Sequence, residues 1–211
     1  FLLILSCGGL FIMANLWATG SYDSVPQALR YGFFQASAFM TTTGHFSADF
    51  DLWPAFSRMV LLVLMLIGAS SSSTGGGIKV IRIIVLLNIL RRGIFMRLHP
   101  NAVVPIKIQG KTISAEMVSG IMSFLALYTF IFMLSGLVLS LEDLDFLTII
   151  TTVTATLNNV GTGMGLVGPT GSFAIFSDFS KVYLSFLMLM GRLELFTIIL
   201  LFTPSFWNPD R

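Results

Sequence analysis

Two stretches of this chain, Leu2–Ala18 and Met117–Leu141, contain no charged side chain. A helix that crosses a bilayer needs about 20 predominantly apolar residues. Runs of that kind confine a chain to structures that satisfy their backbone polar groups internally, which in lipid means helices or closed barrels. The rest of the composition agrees. Hydrophobic residues make up 55% of the chain and charged residues only 10%, against about 25% charged in an ordinary soluble domain. The expected fold class is an all-α polytopic membrane protein. The chain opens at Phe1 inside an apolar run, without a basic front or a small-residue cleavage site. It is therefore expected to continue a longer protein whose N-terminal part precedes it. The single cysteine, Cys7, falls within the first apolar run and is expected to be a packing residue.

Charge placement orients the spans. From Lys79 to Lys111 the basic residues are Lys79, Arg82, Arg91, Arg92, Arg97, Lys107 and Lys111, with no Asp or Glu among them. The positive-inside rule puts that segment in the cytoplasm. Residues 1–18 then run outward, 59–90 inward, 113–141 outward and 181–203 inward. Two stretches, 27–58 and 145–180, begin and end outside. Residues 27–42 would form a helix only about 24 Å long, suited to dipping halfway and returning. The chain therefore divides into a first repeat over 1–98, a basic connection over 99–112 and a second repeat over 113–207. Each repeat reads outer helix, re-entrant pore loop, inner helix. The copies align at Thr42-Thr43-Gly44 and Asn159-Val160-Gly161, and an internal repeat constrains architecture strongly.

Irregular backbone at membrane depth is tolerated where protein buries it or where it lines a water-filled path. Gly44 and Gly161 permit backbone angles that let successive carbonyls point one way, and rings of carbonyls replace the hydration shell of an alkali cation. Thr42, Thr43, Gly44, Asn159, Val160 and Gly161 are the candidate filter residues, with potassium held at Thr42, Thr43, Asn159 and Val160. The C-terminal dipole end of each preceding helix favours a cation there. The plainer alternative is a pair of Gly- and Thr-rich turns. The first copy continues into His45-Phe46 and the second into Thr162-Gly163, so the filter is expected to be asymmetric. His45 is a candidate proton-sensitive group at the outer mouth, or a simple packing residue.

The first inner helix is interrupted by Gly68-Ala69-Ser70-Ser71-Ser72-Ser73-Thr74-Gly75-Gly76-Gly77. Each glycine costs about 1 kcal/mol relative to alanine in a helix. Ser73, Gly75, Gly76 and Gly77 are thus expected in a flexible loop below the filter, the alternative being a close contact of small residues between helices. Arg192 is expected near the middle of the last helix, where an arginine is costly and a functional candidate. Glu194, two positions on, points another way on a helix.

The runs MTTTGHFSADF at 40–50 and ATLNNVGTGMG at 155–165 resemble the third and fourth pore loops of the Trk/Ktr/HKT superfamily of potassium transporters. GASSSSTGGGIKVIRI at 68–83, HPNAV at 99–103, and GRLELFT at 191–197 are similar to further stretches of that family, most closely its TrkH-like branch. The resemblance implies a pseudo-fourfold potassium-channel-like pore of four such units, potassium uptake across the bacterial cytoplasmic membrane, and no organic cofactor. It implies an intramembrane gating loop at Ser73–Gly77 and, at Arg192, an arginine that obstructs ions below the filter; an ion pair with an acid on a preceding segment is the structural alternative. Implied partners are membrane lipid, the N-terminal half of the same protein, a second copy in a homodimer, and a TrkA-like cytoplasmic nucleotide-binding subunit docking on the basic segment, with His99-Pro100-Asn101 as its local signature. Without that partner, the basic run would simply meet anionic headgroups.

Two other function classes compete. A cation-coupled symporter driven by sodium or protons also uses broken helices, although such sites commonly recruit intramembrane ionisable groups. An intramembrane enzyme is disfavoured, since no metal cluster, phosphate loop or nucleophile–base pair occurs at credible spacing.

Overall fold

A computed structural model describes residues 1–70, 73, 75–100, 102, 104–108, 110–193 and 195–207, with the side chains of Lys111, Pro204 and Ser205 outside that description. The first repeat comprises α1 (Leu2–Ala18), α2 (Val25–Met40), α3 (Ala55–Ile67) and α4 (Val80–Leu98); the second comprises α5 (Ala115–Leu139), α6 (Phe146–Leu157), α7 (Asp178–Arg192), α8 (Leu195–Leu201) and the short α9 (Pro204–Trp207). Between them lies a minimal antiparallel hairpin, β1 (Lys107–Ile108) and β2 (Lys111–Thr112). The architecture is helical otherwise, with the short helices α2 and α6 in the stretches where the pore helices were expected.

Helix starts follow capping chemistry. Asp145 Oδ2 accepts from the Thr148 amide at 3.1 Å and opens α6. Ser177 Oγ accepts from Ser180 N at 3.3 Å and opens α7, and Ser114 does the same for α5; such caps satisfy otherwise orphaned amides. Helix α6 is rich in threonine, and its hydroxyls bond back along the helix. Thr152 donates to Thr148 O at 2.6 Å and Thr156 to Thr152 O at 2.8 Å. That local satisfaction lets fully buried hydroxyls sit in an apolar setting without the desolvation cost of an unpaired group.

Helix α1 packs on α2 and α3, and α6 packs on α7 and α5. Each repeat has its own core. The first gathers Ile12, Leu16, Phe39, Phe50 and Leu61, but also takes in Ala155, Val160 and Met164 from the second repeat. The second gathers Phe124, Tyr128, Leu139, Leu157 and Leu187. The two cores meet where α6 ends. The outward face of α5 is strongly apolar, with Phe130 64% and Leu137 69% exposed, and an exposed apolar face of that extent belongs against lipid or another protein.

Several boundaries differ from the sequence expectation. Among the described residues α5 is long and apolar enough to span alone, whereas α1 and α3 are shorter apolar helices. Helix α3 is short because Gly68 turns its end out at φ 70°. The expected continuous inner helix over 181–203 is instead two helices, α7 and α8, bent by 111°. Arg192 is consequently the last residue of α7, not a mid-helix residue. At a helix C-terminus its cation complements the dipole, which lowers the cost that the sequence alone assigns to it.

Candidate filter and intramembrane loop

The two candidate filter strands share one backbone construction. In the first, Thr42 N donates to Phe39 O at 3.2 Å and Thr43 N to Ala38 O at 2.9 Å. In the second, Asn159 N donates to Thr156 O at 3.1 Å and Val160 N to Ala155 O at 2.9 Å. This paired set of bonds is a Schellman closure, which requires a left-handed residue just past the helix. That residue is Thr42 (φ 55°) in one copy and Asn159 (φ 54°) in the other. Asparagine tolerates the conformation, but for β-branched threonine it is an outlier, and such outliers concentrate at functional sites. The next glycines, Gly44 and Gly161, again have positive φ, 70° and 91°. Their amides share the same acceptors, Ala38 O and Ala155 O, at 3.4 and 3.2 Å.

The strands lie beside one another. Thr162 Oγ1 donates to Gly44 O at 2.6 Å. A β carbon on Gly44 would overlap the carbonyl oxygen of Val160, whereas one on Gly161 would meet nothing within 4 Å. Among the described residues, none donates a hydrogen bond to the carbonyl oxygens of Thr42, Thr43, Asn159 or Val160. Backbone carbonyls in an apolar medium ordinarily have partners, so four spare ones in two adjacent strands can serve as cation ligands. The side chain of Gln35, fully buried in α2, reaches only weakly towards His45 O, at 3.4 Å, and its own oxygen has no partner among the described residues. His45 itself is exposed.

Behind the strands the loop between α3 and α4 folds out and returns. Ile78 N donates to Leu66 O at 3.3 Å and Lys79 N to Ile67 O at 2.9 Å, so the chain rejoins the open end of α3. Ser73 Oγ accepts from Gly75 N at 2.9 Å within the excursion. A β carbon on Gly75 would stand 2.8 Å from Thr42 Oγ1, and one on Gly76 would overlap the Asn158 carbonyl. Gly75 and Gly76 thus lie against the starts of the two different candidate strands. Arg192 is exposed at the end of α7. Its neighbour Gly191 lies against Leu157 O and the Asn159 amide group, placing this helix end beside the second strand. Ser71, Ser72, Thr74, Asn101 and Glu194, all named from the sequence, lie outside the described residues.

Residues beyond the sequence candidates complete the site. Asn158 is fully buried; its Oδ1 accepts from Tyr128 OH at 2.8 Å and its Nδ2 donates to Met65 O at 3.0 Å. Asn159 Nδ2 donates to Met188 O in α7 at 2.9 Å. Asp51 Oδ1 accepts from Gly165 N at 3.1 Å, crossing between repeats. Burial pushes the Asp51 carboxyl above its usual range although the Gly165 bond opposes that shift. Doubled asparagine at 158–159 was the one visible sign of these anchors. Their partners are too remote in sequence for spacing to reveal. In the basic segment, Arg82 stacks over Phe124 of α5 at 3.7 Å, and Arg91, Arg92 and Lys107 line a cavity of about 320 Å³ between α4 and the hairpin.

Comparison with known proteins adds a common denominator. The profile of a family described as TrkH, cation transport protein, matches residues 3–208. The Trk system potassium uptake protein TrkH of Salmonella typhimurium is 38% identical over 193 residues, covering 92% of this chain and 40% of its own length. The TrkH of Vibrio parahaemolyticus is 38% identical over 207 residues, covering 98% of this chain and 41% of its own. The crystal structure of the potassium transporter TrkH from Vibrio parahaemolyticus superposes with a TM-score of 0.90 at 36% identity, covering 99% of this chain and 44% of that one. The chain spans about two-fifths of the length of the curated relatives it matches.

Proposed function

This chain belongs to the TrkH family of cation transport proteins, and we propose that it supplies two adjacent walls of a potassium-conducting pore in the bacterial cytoplasmic membrane. The observation that carries the reading is the pair of abutting strands whose carbonyls at Thr42, Thr43, Asn159 and Val160 have no donor among the described residues. Such oxygens, held by helix ends rather than by side chains, can replace the water of a passing K+ without a carboxylate. The dipoles of α2 and α6 end at the strands and favour positive charge there.

The contrast between Gly44 and Gly161 supports ring closure by further repeats of the same protein. Gly44 presses against the neighbouring strand, and in the whole protein an equivalent strand would press against Gly161. The loop bearing Ser73, Gly75, Gly76 and Gly77, with Arg192 at the end of α7, then forms the inner constriction that opens on gating. In this reading the apolar outer face of α5 meets lipid or a second copy in a homodimer, and the basic end of α4 with the hairpin meets a cytoplasmic nucleotide-binding subunit. Ion passage rather than catalysis is the work of the site.

Channel and cation-coupled symport are separated by reconstituting the whole transporter in planar bilayers. Discrete single-channel current steps selective for K+ over Na+ are the expected result. A fixed ratio of K+ to Na+ or H+ moved at every driving force would overturn the channel reading.

A further inference from the structure

Among the described residues, the side-chain bonds at the base of the first strand are local, and its one long-range side-chain bond comes farther on, from Thr162 to Gly44 O. Thr41 Oγ1 donates to Ser37 O at 2.7 Å and meets Thr43 Oγ1 at 2.7 Å. The residue in the same Schellman position of the second strand is Asn158, and it is tied to three other elements. Tyr128 OH in the outer helix α5 donates to its Oδ1, its Nδ2 donates to the Met65 carbonyl in the inner helix α3, and Gly76 of the intramembrane loop rests on its main-chain carbonyl. Tyr128 is 5% exposed and Asn158 fully buried, so water does not compete for these bonds and each is strengthened by the low local dielectric.

From this convergence we infer that Asn158, clamped by Tyr128, is a positioning residue that sets the second filter strand and transmits the seat of the Gly75–Gly77 loop to it. The inference rests on the filter reading above. The chemistry is geometric. A carboxamide offers one acceptor and two donors in a plane, so with Tyr128 and Met65 both engaged its rotation is fixed, and Asn159 follows in its left-handed conformation. Without the Tyr128 hydroxyl the amide keeps one anchor and can turn, loosening carbonyls that must match an ion closely. Asn158 touches no ion in this account. Its effect reaches the ion through the Asn159 and Val160 carbonyls.

The test uses the full-length transporter containing this segment, reconstituted in liposomes, with the Rb+ to Na+ flux ratio as readout and flux per folded protein measured alongside. Tyr128→Phe removes the hydroxyl and keeps the ring. It is expected to lower the Rb+ to Na+ ratio about fivefold, the typical worth of one hydrogen bond, with Rb+ flux per folded protein held. Tyr183→Phe, which removes the 2.9 Å bond to Ser135 between α5 and α7, is the matched control and is expected to leave the ratio unchanged. Asn158→Asp keeps an acceptor for Tyr128 but loses the donor to Met65, and is expected to lower the ratio as well. A uniform fall in both fluxes, or an unchanged ratio in Tyr128→Phe, would overturn the inference. Gly161→Ser separates the two levels. If it changes the ratio and Tyr128→Phe does not, the positioning role alone fails; if neither does, the filter reading fails with it.

Discussion

The two candidate filter strands share a backbone and differ in their supports. Thr42–Gly44 and Asn159–Gly161 repeat the same closure, the same left-handed residue and the same shared acceptor. Their side-chain supports have little in common: the first strand has bonds among neighbouring threonines and one from Thr162 of the second repeat, the second has long-range amide bonds to α3, α5 and α7. The difference teaches where function resides. If the working groups are carbonyls, side chains are free to diverge so long as the same φ and ψ angles are held. Low sequence identity between the copies then carries no information against a common role.

The largest effect expected from breaking the comparison lies at the two glycines. Alanine at Gly44 meets both a left-handed backbone and the Val160 carbonyl. Strain of about 1–2 kcal/mol and overpacking of about 1–3 kcal/mol together predict a loss of selective Rb+ uptake on the order of 100-fold. Within the chain alone Gly161→Ala would meet only the first of these. If a further strand closes the ring in the whole transporter, the two substitutions are expected to be equally damaging. Measuring both in cells that depend on this transporter for potassium checks the point; a Gly161→Ala variant that grows at low potassium like the parent would speak against closure.

A smaller effect, several-fold rather than a hundredfold, is expected at the inner side. Gly76→Ala must lift the loop off the Asn158 carbonyl, and Arg192→Ala removes the cation at the end of α7. Each is expected to raise basal cation leak in proteoliposomes of the whole transporter. Gly75→Ala touches the first strand through Thr42 instead. Comparing its leak with that of Gly76→Ala asks whether the loop seats on both strands or mainly on the better-anchored second one. An Arg192→Ala protein that folds normally and leaks no more than the parent removes Arg192 from the gate.

What could be read in the residues, and what could not, divides along the same line. Apolar runs and Gly-bearing breaks are local in sequence: the helix expected over 27–42 is α2, Val25–Met40, and the apolar run expected within 145–180 begins as α6, Phe146–Leu157. The left-handed backbone at Thr42 was not legible, since threonine disfavours it and only the surrounding closure imposes it. Tyr128, Asn158 and Met65 come from three different helices, and no periodicity links them. Arg192 was misplaced because apolar patterning continues through 203 and hides the bend after it. The β1–β2 hairpin went unseen for a similar reason: strands of two residues leave no alternation to detect.

The smallest expected effect tests the comparison most finely, by exchanging the left-handed residues. Thr42→Asn places in the first strand the residue the second already uses there. Asparagine accepts φ near 55° with little penalty, so the variant is expected to keep its Rb+ to Na+ ratio and to gain about 1 kcal/mol of stability by relief of strain. The reverse change, Asn159→Thr, introduces that strain and also strips the Met188 carbonyl of its donor, an expected loss of about 2 kcal/mol. Thermal unfolding in detergent, followed alongside flux, compares the two. Opposite signs mean that the backbone is the shared element and the side chain only its support. A Thr42→Asn protein that is stable but unselective would show instead that the Thr42 hydroxyl, 2.8 Å from where a β carbon on Gly75 would stand, itself contributes to the ion path, and the two strands would then differ in chemistry as well as in anchoring.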